Sequence, residues 1–122
     1  MPELNKYQMF IDGQWVDSDT KKNFETLNPE NNKPWAVVPE ASANDVDRAV
    51  KAAQKAFEGE WPKMIARDRA KFLRAIGNKL RENSELLGKI ETIDTGKLYR
   101  ETYQQAKYIA CLLYTSPSPR DS

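Results

Sequence analysis

The hydrophobic period of this chain changes near Ser42, and that change constrains its fold more than any other feature. From Tyr7 to Ala41 the pattern is that of short strands. Met9-Phe10-Ile11 and Gln14-Trp15-Val16 flank Asp12-Gly13, a dipeptide that tolerates the positive φ angles of a type I′ hairpin turn. Phe24-Glu25-Thr26-Leu27 alternates apolar and polar side chains, as a half-buried strand does. Asn28-Pro29-Glu30-Asn31-Asn32 reads as a turn, because proline fixes φ and asparagine accepts turn geometry. Trp35–Pro39 then reads as a returning strand. Pro39 has no amide hydrogen, so the strand should end there or lie at a sheet edge.

After Ser42 the spacing is helical. Ser42 and Asp45 form a capping-box pattern, with Asp a shorter partner than the usual Glu. Val46, Ala49, Val50, Ala53 and Phe57 follow on one helical face, and Gly59 and Pro62 bracket the stop. A second helix is expected from about Ala66, with Phe72, Leu73, Ile76 and Leu80 on its apolar face. Asn83-Ser84 offers a fresh cap. Leu86, Leu87, Ile90 and Ile93 continue as another helix, or as the same one after a kink. Gly96 is a natural C-terminal cap, and Lys97 suits the negative helix end. Helical spacing returns from Tyr99 to Ala110 through Tyr103, Ala106 and Ile109. Two Ser-Pro steps then disfavour helix in the last residues.

Composition narrows the chemistry. The apolar share, 39%, is low for a globular domain and the charged share, 30%, is high, which suits a thin core or one covered from elsewhere. A net charge of +1 gives no electrostatic case for nucleic acid. The longest uncharged run is too short to cross a bilayer, and the first residues have no apolar signal-peptide core. Together with a single cysteine, this favours a cytoplasmic setting. The absence of histidine removes Ser-His-Asp and Cys-His catalysis and the usual zinc ligand sets. The glycines are scattered, so neither G-x-G-x-x-G nor a Walker loop is present.

Local constellations are few. Ile93-Asp94-Thr95-Gly96-Lys97 gathers a carboxylate, a hydroxyl, a glycine and an ammonium, although a helix C-cap explains the spacing more simply. Asp94 is the odd member, because an acid in a last helical turn opposes the helix dipole. Thr26-Leu27-Asn28-Pro29 puts carbonyl oxygens at a strand edge, where with a carboxylate they could hold a hard cation; an ordinary strand-to-turn junction fits the pattern better. The tryptophans and tyrosines read as packing rather than base stacking. The lysines and arginines around the helices are mixed with acids, as on a solvated face. Cys111 would need a base or a lowered pKa to be a nucleophile.

Phe10-Ile-Asp-Gly-Gln-Trp-Val16, Thr26-Leu-Asn-Pro29 and Glu91-Thr-Ile-Asp-Thr-Gly-Lys97, in that order, resemble the aldehyde dehydrogenase superfamily. Val38–Ala53, Ala56-Phe57, Trp61 and Arg69–Leu73 match it in kind and order. The resemblance covers Tyr7 to Ala110. It implies an α/β fold: an N-terminal β-hairpin and short strands followed by amphipathic helices, an incomplete part of the cofactor-binding domain. The domain division implied is an N-terminal, truncated piece over 7–110 and a non-native tail over 111–122, which looks like translated vector sequence.

The resemblance further implies a parent that oxidises a small aldehyde to an acid with NAD or NADP, through a thiohemiacetal on cysteine, and that forms a homo-oligomer. The family's cysteine nucleophile, glutamate base, oxyanion asparagine and dinucleotide loop lie beyond the matched region. No catalytic or cofactor-binding residue is therefore carried over, and this chain alone is expected to be inactive and to bind no nicotinamide cofactor. What carries over is a structural monovalent cation, with Thr26, the Leu27 carbonyl and Asp94 as the matching ligands. The rival readings are a non-enzymatic hairpin-plus-helix interaction module and a small carboxylate-based enzyme.

Overall fold

Asp12 and Gly13 both take positive φ, 53° and 76°, and close a hairpin between β2 (Met9–Ile11) and β3 (Gln14–Val16). This is the type I′ geometry expected of the dipeptide. Phe10 pairs with Trp15 across the ladder, their rings edge to face at 4.9 Å between centroids. A computed structural model describes residues 4–115 of the chain, which divides into two compact units, Met1–Trp61 and Pro62–Ser122.

The first unit also holds a three-stranded sheet ordered β1 (Asn5–Lys6), β5 (Lys33–Pro39), β4 (Asn23–Asn28). β4 pairs antiparallel with β5 through the expected Asn28–Asn32 turn. The turn closes with Asn32 donating its amide to the Asn28 carbonyl at 2.7 Å. Pro39 does end its strand, but β5 is central, not an edge. The reason is that β1 pairs in parallel only with Ala36 and Val37, so no ladder on that side requires an amide at Pro39. A two-residue strand is too short to show a period, and β1 was not foreseen.

The capping box forms as expected at the start of α1 (Ala43–Glu58). The expected buried stripe does not. Val46 is 54% exposed, Val50 60% and Phe57 68%; the buried residue of this helix is Asp45. The face running through Arg48 and Ala52 is the one that lines a cleft with Ile11 and Val16 of the hairpin. Phe24 and Leu27 of β4 are also largely exposed, so the alternation there does not bury its apolar members. After Gly59 the chain passes through a short 3-10 turn at Trp61–Lys63.

The second unit consists of α2 (Ala66–Glu82), α3 (Ser84–Thr95) and α4 (Tyr99–Thr115), with α4 packed on both others. Asn83 and Ser84 were expected to cap the helix that follows. Instead both side chains turn back, Asn83 Nδ2 donating to the Lys79 carbonyl and Ser84 Oγ to those of Leu80 and Arg81. They add to the bonding of the last α2 carbonyls, of which Lys79 and Arg81 also accept from the Asn83 amide, and the chain bends there into a separate helix. Gly96 takes φ 78° and ends α3 as expected. Lys97, expected to serve the helix end, directs its ammonium to Glu91 at 3.5 Å.

Small residues make the contacts of this unit. Ala70, Gly77, Ser84, Gly88, Thr102 and Ala110 are buried, whereas Phe72 and Ile76, expected on the apolar face of their helix, are about half exposed, as is Ile109. A Cβ on Gly77 would lie 2.9 Å from the Ala110 carbonyl oxygen, and one on Gly88 would lie 3.0 Å from the backbone of Tyr103. The obstacle in each case is backbone, which does not swing aside. α4 also continues past Ala110 to Thr115, because the restriction that proline imposes on its predecessor begins only at Ser116. The Ser-Pro steps themselves lie outside the described residues.

Gly77→Ala and Gly88→Ala should therefore each destabilise the helical unit. The helix-propensity gain of about 1 kcal/mol is outweighed by overpacking of ~1–3 kcal/mol. Urea denaturation followed by circular dichroism checks this. A midpoint that rises in either variant would show that α4 does not approach so closely.

Candidate functional site

The most organised polar cluster surrounds Asp45. As the third residue of α1 it accepts from the Ser42 amide at 2.9 Å and the Ser42 hydroxyl at 3.1 Å, while its own amide donates to Ser42 Oγ. The same carboxylate accepts from the Ser18 hydroxyl at 3.0 Å and the Asp19 amide at 3.2 Å, and pairs with Arg48 Nη2 at 2.6 Å. Ser18 and Asp45 are each 1% exposed. One side chain thus ties the helix start to the loop that joins β3 to β4. The loop is tightened locally by Lys21, at φ 61°, donating its amide to the Ser18 carbonyl.

These donors decide what Asp45 can do. The Ser42 amide, aided by the Arg48 guanidinium, the Ser18 hydroxyl and the Asp19 amide, holds its carboxyl well below the usual carboxylate range, against the opposing effect of burial. A carboxylate with its lone pairs engaged and its proton affinity lowered is a poor general base. Asp45 is a structural anchor. Beside it an open cleft of about 720 Å³ is lined by Gln8, Trp15, Asp17, Lys21, Asp47 and Arg48, among others. Its charges are mixed, and Asp47 is already paired with Lys51 at 2.7 Å.

Of the residues marked in the sequence, Thr26 and Leu27 sit in β4 at a register shift, with Leu27 opposite Pro34, which has no amide hydrogen to give the ladder. Asp94 is exposed in the last turn of α3, in the other unit. Among the described residues no group of three or more His, Cys, Asp or Glu is placed to hold a metal ion. Any cation using these ligands would rest on hydroxyl and carbonyl oxygens with a single carboxylate, a set that suits a hard ion and not a soft one. Cys111 is exposed on α4.

The buried Thr102 was not foreseen. Its hydroxyl donates to the Gly88 carbonyl at 2.9 Å and sits 2.9 Å from the Thr92 hydroxyl, joining α4 to α3. A threonine in a helical run gives no signal of this. Asp45, by contrast, could have been weighted more heavily, because an acid three residues after a Ser cap is committed to the helix start.

A family model described as the aldehyde dehydrogenase family matches residues 15–116. The chain belongs to the aldehyde dehydrogenase family. It is 40% identical over 101 residues to aldehyde dehydrogenase family 2 member C4 of Arabidopsis thaliana, covering 82% of this chain and 20% of that protein. It is 45% identical over 94 residues to the mitochondrial 10-formyltetrahydrofolate dehydrogenase of Homo sapiens, covering 76% of this chain and 10% of that one.

Among solved structures, an NAD-dependent aldehyde dehydrogenase of Sinorhizobium meliloti superposes with a TM-score of 0.88 at 31% identity, covering 92% of this chain and 23% of that one. Betaine aldehyde dehydrogenase of Staphylococcus aureus, solved in complex with NAD+, gives 0.84 at 39% identity, covering 88% and 22%. Short strands followed by four helices thus reproduce the N-terminal part of aldehyde dehydrogenase structures. The chain spans a quarter or less of each relative named here.

Replacing Asp45 with Asn puts an amide donor among donors and removes the charge that Arg48 meets. With the folded pKa depressed, the carboxylate's contribution is complete above its unfolded value of about 4 and is lost as pH falls toward the folded value. Urea midpoints across this range should fall on acidification in the unchanged chain. Asp45→Asn should start lower at neutral pH and show a flatter acid limb; parallel limbs would remove Asp45 from this role.

Proposed function

We propose that this chain is a structural piece of an enzyme that oxidises an aldehyde to a carboxylic acid with NAD or NADP, and that it carries none of the chemistry itself. One observation carries the proposal: a family piece spanning about a fifth of a curated relative leaves its large apolar side chains uncovered. Val46, Val50, Phe57, Phe72, Ile76 and Leu86 are all at least half exposed, while the fully buried apolar residues among those described are alanines. Fully burying one such side chain contributes about 1.5–3 kcal/mol, roughly half of which remains to be gained here, so the six together still approach the lower end of a small domain's stability, about 5–15 kcal/mol. The missing cover is assigned to the rest of the parent.

The anchoring role of Asp45, whose carboxylate is engaged by its neighbours, supports a framework piece over a small carboxylate enzyme. A hairpin-plus-helix interaction module remains the second reading, favoured by the same exposed faces. Among the described residues no helix is long and apolar enough to cross a membrane. The cytoplasmic setting and the homo-oligomeric parent rest on the sequence and the resemblance. So does the foreign origin of Cys111–Ser122. Because α4 and the family match both extend past Ala110, that origin bears most on the Ser-Pro residues. DNA sequence from the same locus decides between the two readings. A frame that leaves the present one before residue 122 and continues into a Gly-rich turn and a cysteine motif is expected. A genomic stop directly after the present ending would contradict the fragment.

The cation proposal stands on the resemblance, with oxygen ligands at Thr26, the Leu27 carbonyl and Asp94. In the full-length parent, Asp94→Ala should lower both bound monovalent cation, measured by elemental analysis after desalting, and the melting temperature. Unchanged metal content with unchanged melting would reject it.

A further inference from the structure

We draw no further inference here: the strongest candidate, the apolar groove of about 450 Å³ that Phe72, Ile76, Leu80, Leu86 and Leu87 line along α2 and α3, is an unpartnered face, and nothing in the structure shows what covers it.

Discussion

The first unit depends on one buried carboxylate. Without Asp45 the Ser42 amide, the Ser18 hydroxyl, the Asp19 amide and the Arg48 guanidinium would all lose an acceptor at once. The Ser18 hydroxyl is buried, and a buried donor left without a partner costs about 1–3 kcal/mol, whereas Asp19 and Arg48 are open to water; the helix start and the β3–β4 loop are therefore joined chiefly through Ser18. The side chain is short, which is what brings the loop in. A glutamate there would carry its oxygens one methylene farther from the helix backbone. The capping box is therefore more than a local device, since the residue that caps the helix also fastens the strands.

The second unit is held differently, by close approach of backbones. Gly77 and Gly88 let α4 lie against α2 and α3, and Thr102 bonds the Gly88 carbonyl at one of these contacts. Interiors made of alanine, glycine, serine and threonine bury little apolar area per residue, so hydrophobic stabilisation is modest. Both units share this economy. The buried residues described in each are small or polar, and much of the aliphatic and aromatic surface faces outward. In a complete protein that would be a poor arrangement. In the N-terminal part of a larger member of the aldehyde dehydrogenase family it is what a framework segment would show before the remaining chain closes over it.

Local chemistry was legible in the sequence where it is settled by neighbouring residues. Asp12-Gly13 gave the hairpin, Ser42 with Asp45 the helix start, and Gly96 the helix end, each through a backbone preference that needs no distant partner. Faces were less legible. Periodicity identified the Val46–Val50–Phe57 stripe, but which side of a helix is buried depends on what packs against it, and here the polar side meets the hairpin. Asn83 and Ser84 were placed correctly at a junction and assigned to the wrong helix, because a capping side chain can serve either end. The helix contacts at Gly77 and Gly88 left no mark, since close approach is a property of two segments. Thr26, Leu27 and Asp94 came forward as ligands through family resemblance; their local patterns fit a strand end and a helix cap better.

On the proposed reading the chain is framework and carries none of the chemistry. The direct measurement is NADH formation by the 122-residue chain incubated with NAD+ and a panel of aldehydes, with its helicity checked by circular dichroism in the same buffer. A helical chain that forms no NADH above the protein-free control is expected. NADH formation in proportion to chain concentration, abolished by Cys111→Ala, would contradict it.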